Sequence, residues 1–88
     1  MATGTIKPQG IKTATVTGNV ASSGAFQIGT FTDRIVVAFE SSFNYGGFIY
    51  TNGNSYSIRF VQVASDNSKI FPAPATNNVT VTYYYLPR

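Results

Sequence analysis

Apolar and polar residues alternate on both sides of an Asn-Gly pair in the middle of the chain, which predicts a β-hairpin. The segment 46–63, GGFIYTNGNSYSIRFVQV, carries β-branched and aromatic residues on each side of Asn52-Gly53. A type I′ turn needs a positive φ angle at both central residues, and Asn and Gly tolerate that angle. We therefore expect Phe48 and Tyr50 on the incoming strand, with the turn centred on Asn52-Gly53.

The outgoing strand, 55–64, changes the parity of its apolar positions partway along. Tyr56, Ile58 and Phe60 occupy even positions, and the next apolar residues, Val61 and Val63, occupy odd positions. Successive side chains of a strand point to opposite faces. The change of parity therefore predicts a bulge, or a strand that changes partners, near Phe60.

The segment 34–40, RIVVAFE, is the clearest candidate for a core strand. Ile35, Val37 and Phe39 are expected on one face, and the two residues between them, also apolar, on the other. A strand with two apolar faces is typically covered on both sides. We expect the opposite sheet to cover one face and a neighbouring chain or loop to cover the other.

Three further segments have the pattern of strands, and one has the pattern of a sheet edge. The strand-like segments are 11–17, 25–28 and 78–86. Residues 71–78 contain Pro72 and Pro74, and proline cannot donate to a central ladder, so this segment is expected at an edge or in an extended crossing. Gly18-Asn19 and Ser22-Ser23-Gly24 predict turns around Val20.

Together these segments predict an all-β chain, folded as a small antiparallel β-sandwich of about six strands. Turn residues recur about every ten residues, and no stretch has helical periodicity. We assign residues 11–88 to a single β-sandwich domain. Residues 1–10, MATGTIKPQG, contain Pro8 and Gly10 and are expected to form an N-terminal arm or linker.

The composition indicates an unusual surface. Charged residues make up 10% of the chain, whereas about 25% is usual in soluble domains. Thr, Ser, Asn and Gly together exceed a third of the residues. The polar surface is therefore expected to consist mostly of hydroxyls and amides. Such a surface suits an extracellular or virion protein that meets neutral polar ligands, or a subunit that partners largely cover.

The small size of the chain points to an assembly. A domain of 88 residues buries only roughly 60–65% of its unfolded surface. The absence of cysteine and histidine excludes disulfide staples and Cys/His metal sites. Small chains without such cross-links often gain stability by oligomerising, so we expect a homo-oligomer, with a trimer favoured.

The residues needed for catalysis are scarce, and we expect no enzyme, no cofactor and no metal site. His and Cys, the usual bases and nucleophiles, are absent. The only acids are Asp33, Glu40 and Asp66. Asp33 and Glu40 bracket one strand and lie more than roughly 20 Å apart at about 3.3 Å per residue, so they do not form a glycosidase pair within one subunit.

Tyrosines near amide-rich turns supply the candidate ligand site. A sugar's apolar face stacks on a Tyr ring, while its hydroxyls match amide and guanidinium groups. The candidate ligand-binding residues are Asn44, Tyr45, Tyr50, Asn52, Asn54 and Arg59. The alternative is that these are ordinary turn residues with one or two Tyr side chains in the core.

The last strand is the candidate oligomer interface. Val79, Val81, Tyr83 and Tyr85 are expected on one face, and the other face also carries large side chains. An edge strand with two such faces invites contact with another copy. The candidate interface residues are Tyr83, Tyr84, Tyr85 and Leu86. Burial of these residues in the core is the alternative.

The distribution of charge does not favour nucleic-acid or membrane partners. The net charge is +3, but no two basic residues are adjacent, and nucleic-acid binding needs a basic patch or stripe. No apolar run has the length of a membrane span, and the N-terminus lacks the apolar run of a signal peptide. We expect synthesis in the host cytoplasm without a signal peptide, and no membrane insertion.

Several segments resemble the C-terminal tip domains of bacteriophage tail fibres and related receptor-binding proteins. They are the Thr/Asn/Gly-rich start, RIVVAFESSF, GGFIYTNGNSYSIRFV and the closing VTVTYYYL. The chain is also similar to the small sandwich of H-type lectins. The resemblance covers residues 11–86, and it implies a trimeric β-sandwich that binds cell-surface glycans. It implies no individual binding residue.

Three hypotheses for function follow. The first is a non-catalytic phage or phage-like virion or tail module that binds host cell-surface carbohydrate. The second is a structural virion or tail subunit, such as a decoration, head-fibre or trimer-capping protein, that contacts only other proteins. The third is a nucleic-acid binder that uses Tyr stacking and scattered basic residues. The first two place the protein in the virion.

Overall fold

The computed structural model describes residues 10–88 and contains seven strands. The strands are β1 (Lys12–Val20), β2 (Ala25–Thr30), β3 (Arg34–Ser41), β4 (Gly47–Asn52), β5 (Ser55–Val63), β6 (Ile70–Pro72) and β7 (Thr76–Pro87). The expected arm, 1–10, lies outside the described residues except for Gly10. The sequence predicted about six strands, and the additional one is the three-residue strand β6.

The strands form two antiparallel sheets. One has the order β1-β7-β3, and the other has the order β2-β5-β4, with β6 paired to the far end of β5. All the strand pairs are antiparallel. The prediction of an all-β antiparallel chain is therefore confirmed.

The two sheets share one hydrophobic core, and Phe60 of β5 lies at its centre. Its side chain is completely buried. Three aromatic rings pack edge-on against it, with centroid distances of 6.3 Å to Phe26, 6.1 Å to Phe39 and 5.1 Å to Phe43. Phe26 belongs to the same sheet, Phe39 to the other sheet, and Phe43 to the loop between β3 and β4. Phe60 thus connects the layers of the molecule.

The predicted change of partners near Phe60 is confirmed. Along one edge, β5 pairs with β2 up to Arg59 and with β6 from Val61, while β4 pairs with its other edge up to Phe60. The prolines lie where a sheet edge was predicted, because β6 pairs with β5 alone among the described strands. Ala73, just after β6, is buried, and its amide donates to the Phe60 carbonyl oxygen at 3.0 Å.

No loop within residues 10–88 covers the second face of the 34–40 strand, so that part of the prediction is wrong, and cover by a neighbouring chain stays a prediction. The register of β3 against β7 shifts between Val36 and Ala38. This bulge places Val36 and Phe39 on the core side and leaves Ile35 and Val37 exposed. The simple alternation that grouped Ile35, Val37 and Phe39 fails because a bulge adds one residue to a strand.

The predicted turn at Gly18-Asn19 is wrong, because both residues lie within β1. The register against β7 shifts between Gly18 and Val20. The Asn19 side chain fills the irregularity, where its Oδ1 accepts a hydrogen bond of 3.2 Å from the amide of Asn78. Gly and Asn here mark a bulge inside a strand instead of a chain reversal. The predicted turn at Ser22-Ser23-Gly24 is confirmed, because it connects β1 to β2.

The central hairpin forms as predicted, but its turn is shifted by one residue. Asn52 pairs with Ser55, so Gly53 and Asn54 are the central residues. Gly53 has φ of 61°, and Asn54 is not among the residues with positive φ. A positive φ at the first central residue alone corresponds to a type II′ turn. The predicted type I′ turn centred on Asn52-Gly53 is therefore wrong.

Gly53→Ala is expected to lower the free energy of unfolding by about 1–2 kcal/mol, because an L-residue is strained at this φ angle. A Cβ at Gly53 would meet nothing within 4 Å, so backbone strain is the only cost. Gly46→Ala is the matched control, because it is equally open but has no left-handed φ. Urea unfolding should show Gly46→Ala unchanged or slightly stabilised, and equal losses in both variants would contradict the turn geometry.

Candidate functional site

The outward side of the β2-β5-β4 sheet carries aromatic, amide and hydroxyl side chains around Arg59. Tyr56, Ile58 and Phe60 of β5 are buried in the core, so Ser57 and Arg59, which alternate with them, point to the other side of the sheet. Ser57 is covered there by its neighbours and is only 6% exposed. The register supplies their neighbours on both edge strands. We call this surface the Tyr50 face and define it by Gln27, Phe48, Tyr50, Asn52, Ser57 and Arg59.

Tyr50 and Arg59 are stacked at the centre of this face. The guanidinium carbon of Arg59 lies 4.5 Å from the centroid of the Tyr50 ring, which is a cation–π geometry. Tyr50 is still 44% exposed. The stack therefore orders the Tyr50 ring and leaves it accessible to a ligand.

The guanidinium of Arg59 has unused capacity to donate hydrogen bonds. Its Nε is buried without a hydrogen-bond partner in the described part of the chain, so only the two terminal nitrogens can reach a ligand. The only ion pair that the described residues form joins Arg34 to Asp33, so no carboxylate neutralises Arg59. An Arg side chain presents five N–H donors. The Tyr50 face thus combines an exposed ring with a positive donor.

Polar groups extend this face towards the hairpin turn. Asn52 follows Tyr50 by two residues on β4, on the same side, and is exposed. Thr30 and Ser55 are cross-strand neighbours whose hydroxyls lie 3.0 Å apart. Amides and hydroxyls beside an apolar ring match the two kinds of surface that a sugar presents.

The structure divides the six predicted ligand-binding residues into two groups. Tyr50, Asn52 and Arg59 lie together on the Tyr50 face, and the exposed Asn54 lies in the adjacent turn. Asn44 and Tyr45 instead precede β4, at the end opposite the turn, roughly 16 Å away along a strand that rises about 3.3 Å per residue. The grouping of all six into one surface is therefore wrong.

Tyr45 also has a structural role that sequence proximity did not indicate. Its ring lies 5.0 Å from the ring of Phe43, and both side chains pack against the hydrophobic core. The alternative of a core Tyr in an ordinary loop fits Tyr45. Asn44, between these two aromatic residues, is exposed.

Phe48 is a member of the face that the candidate list omitted. It is 53% exposed and lies opposite Arg59 in the register. Its alternation with Tyr50 was visible in the sequence and could have identified it. Ser57 pairs with Tyr50 across one edge of β5 and with Gln27 across the other. Gln27 and Ser57 belong to the face only because of this cross-strand pairing.

The premise for the predicted oligomer interface is wrong, because β7 is the central strand of its sheet and not an edge. It pairs with β1 on one side and with β3 on the other. Tyr83 is buried in the core of the single chain, so its side chain has little surface to offer a second copy. Tyr85 is partly buried against the same core.

Arg34 organises the aromatic cluster around Tyr83. Its guanidinium donates to the Tyr83 hydroxyl at 3.0 Å and lies over the rings of Phe31 and Tyr85, at 4.6 and 4.2 Å. It also pairs with Asp33 at 2.9 Å. The hydrogen bond from Arg34 lowers the pKa of the Asp33 carboxyl, and the same bond raises the pKa of Arg34. The donors of Arg34 thus serve the fold.

The remaining predicted interface residues, Tyr84 and Leu86, lie on the outward side of the β1-β7-β3 sheet. The Tyr84 hydroxyl donates to Glu40 Oε1 at 3.1 Å, and this hydrogen bond raises the pKa of Tyr84. Leu86 pairs with Ile35, and both are exposed. Two other exposed apolar residues, Ile11 and Val37, lie nearby. We call these four residues, Ile11, Ile35, Val37 and Leu86, the apolar row.

The acids are dispersed, and the described residues contain no group of three His, Cys, Asp or Glu side chains that could hold a metal ion. Asp66 caps a turn, with Oδ1 accepting a hydrogen bond of 3.0 Å from the amide of Ser68. Hydrogen bonds from Ser68 lower the pKa of Asp66. Residues 10–88 also contain no helix long and apolar enough to cross a membrane.

No protein-family model, no curated protein and no solved structure matches this chain. The resemblance to phage tail-fibre tips and to H-type lectins therefore stays a prediction. The function proposed below depends on the geometry of the described side chains.

Proposed function

We propose that this chain is a non-catalytic module of a phage or phage-like virion that binds host cell-surface carbohydrate through the Tyr50 face. One observation carries the proposal: the exposed ring of Tyr50 is held over an unpaired Arg59, on a sheet surface bordered by amides and hydroxyls. Strands hold these groups, so a ligand meets a surface that is already ordered.

The chemistry of the face suits a sugar ring. The C–H groups of a pyranose stack on Tyr50 or on Phe48, and its hydroxyls accept hydrogen bonds from the Arg59 guanidinium. Asn52 offers both an amide donor and a carbonyl acceptor. The face is open, so one copy binds weakly, and several copies in one particle supply the affinity through avidity.

The finer architecture belongs to the same proposal: a β-sandwich assembled as a trimer within the virion. The two sheets that share a core support a sandwich. The apolar row supports an assembly, because its four large apolar side chains are each between 37% and 46% exposed. Contiguous exposed apolar residues are typical of surfaces that contact a partner.

The same apolar row favours a second candidate, a structural virion subunit that binds only proteins. The β5–β6 hairpin supports this alternative too, because Val63 and Ile70 pair across it and are 55% and 66% exposed. In this alternative the Tyr50 face is a polar outer surface without a ligand. Glycan binding distinguishes the two candidates.

The test is an array of microbial surface glycans probed with the wild-type protein and with Tyr50→Ala. We expect wild-type binding to specific glycans and a loss of about tenfold or more in Tyr50→Ala, since such a loss corresponds to about 1.4 kcal/mol, within the range of one stacked aromatic contact. Ile70→Ala removes a comparably exposed apolar side chain far from the face and should bind as the wild type does.

Three results would contradict the proposal: wild-type protein that binds no glycan, Tyr50→Ala that binds like wild type, or a stable monomer in sedimentation at micromolar concentration. A stable oligomer without glycan binding would support the structural subunit. Salt-sensitive retention on single-stranded DNA, without glycan binding, would support the nucleic-acid hypothesis.

A further inference from the structure

We propose that a shallow depression beside Glu40, on the outward side of the β1-β7-β3 sheet, is a second saccharide subsite, selective for neutral sugars. We call it the Glu40 depression. It is lined by Glu40, Ser41, Ser42, Thr80 and Thr82. The inference rests on the proposed function for the class of ligand, but the two sites lie on different sheets and share no residue.

The depression lies in a regular array of hydroxyl-bearing side chains. In the register, Thr82 of β7 lies between Thr15 of β1 and Glu40 of β3. One step along the sheet, Thr80 lies between Thr17 and Ser42, whose amide donates to the Thr80 carbonyl oxygen at 2.9 Å. Neighbouring strands lie about 4.8 Å apart and alternate residues about 6.7 Å apart, so the array offers closely spaced polar groups.

One hydrogen bond and two longer hydroxyl contacts order the polar groups of this array. The Ser42 hydroxyl accepts from the amide of Thr80 at 3.0 Å. The Thr15 and Thr82 hydroxyls lie 3.4 Å apart, and those of Thr17 and Thr80 lie 3.3 Å apart. A hydroxyl has one donor and two acceptor positions, so each of these groups keeps capacity for a ligand. The positions are set before a ligand arrives.

Glu40 provides the strongest acceptor in the depression. Tyr84 donates to its Oε1 at 3.1 Å, while Oε2 has no donor among residues 10–88. This contact fixes the carboxylate against the sheet and leaves one oxygen to accept from a ligand hydroxyl. Hydrogen bonds to charged groups are the stronger ones.

The size and charge of the depression define the ligand. Its volume of about 270 Å³ is just below the range of roughly 300–1,000 Å³ that is typical for drug-sized ligands, so it fits about one sugar unit. No basic side chain lines it, and the Glu40 carboxylate repels anions. A neutral sugar with adjacent hydroxyls donates to Glu40 and exchanges hydrogen bonds with Ser42, Thr80 and Thr82.

The two sites therefore have opposite preferences. The Tyr50 face offers a positive donor in Arg59, whereas the Glu40 depression offers a negative acceptor. One chain with both sites can contact two saccharide units of different chemistry, one on each sheet.

The test is a heteronuclear NMR titration of the labelled protein with the methyl glycosides of glucose, galactose, mannose and N-acetylglucosamine, and with glucuronate. We expect at least one neutral glycoside to shift the backbone amides of residues 40–42 and 80–84, and glucuronate to leave them unshifted. Glu40→Gln should weaken that binding about tenfold. Asp66→Asn, which removes an exposed carboxylate in a distant turn, should have no effect.

A second variant, Thr82→Val, keeps the shape of the side chain, removes one hydroxyl and should also weaken the binding. The inference is wrong if no neutral glycoside shifts these amides, if glucuronate shifts them equally, or if Glu40→Gln binds as tightly as the wild type. If any of these occurs while glycan binding still depends on Tyr50, the second subsite fails and the proposed function stands. If Tyr50→Ala also binds like wild type, both fail.

Discussion

Phe60→Ala is expected to lower the free energy of unfolding by about 4 kcal/mol. The side chain is fully buried, and it contacts aromatic rings from β2, from β3 and from the loop before β4. Truncation removes these contacts and leaves a cavity that three separate elements cannot easily close. Because small domains have only about 5–15 kcal/mol of stability in total, this loss removes a large share of the stability of the fold.

Chemical denaturation followed by tyrosine fluorescence and far-UV circular dichroism measures this loss. Wild type and variants are compared at equal protein concentration, because association raises apparent stability. Val63→Ala is the control: it lies on the same strand but is 55% exposed, and it should cost less than about 1 kcal/mol. If Phe60→Ala and Val63→Ala are equally stable, Phe60 does not occupy the centre of the core.

Gly24→Ala is expected to cost about 3 kcal/mol, the second largest effect. Gly24 has φ of 84°, and a Cβ there would collide with the carbonyl oxygen of Phe60. The Gly24 carbonyl oxygen accepts a hydrogen bond of 2.8 Å from the Phe60 amide, so the two backbones cannot move apart without losing it. The cost combines about 1–2 kcal/mol of left-handed strain with about 1–3 kcal/mol of overpacking.

Gly18→Ala separates this effect from a general intolerance of larger residues. A Cβ at Gly18 would lie 3.4 Å from the ring of Phe26, and Gly18 has no left-handed φ. The same denaturation experiment should give a much smaller loss for Gly18→Ala. A Gly24→Ala protein as stable as wild type would show that the approach of Gly24 to Phe60 is wrong.

Local patterns identified the strands, and non-local pairing decided where the predictions failed. The period-two pattern of β7 correctly predicted that Val79, Val81 and Tyr83 share one face. Nothing local showed that β7 pairs on both sides, since a central strand and an edge strand can carry the same alternation. The bulge at Val36/Ala38 also depends on the partner strand.

The candidate site was predictable to the extent that its residues lie on one strand. Tyr50 and Asn52 are two residues apart on β4, so a strand prediction places them together. Arg59 lies beside them because the hairpin register places it opposite Phe48, and that pairing was not predicted from the sequence. Asn44 and Tyr45 were added because they are close in sequence, although β4 carries them to its opposite end.

The Glu40 depression was outside the reach of sequence patterns. In the sequence, Glu40 has only the pattern of a polar residue at the end of a strand. Its contact with Tyr84 joins β3 to β7 across 44 positions of the chain, and the paired threonines of β1 and β7 are further apart still. Only the strand order brings these groups to one surface.

The most direct test of the central claim, saccharide binding at the Tyr50 face, is to map the bound glycan by NMR. The labelled protein is titrated with the array glycan of highest affinity, and backbone amide shifts are recorded. We predict the largest shifts at residues 48–52 and 57–59, and their loss in Tyr50→Ala. Shifts confined to other surfaces, such as the β5–β6 hairpin, or an absence of shifts at saturating glycan, would contradict the claim.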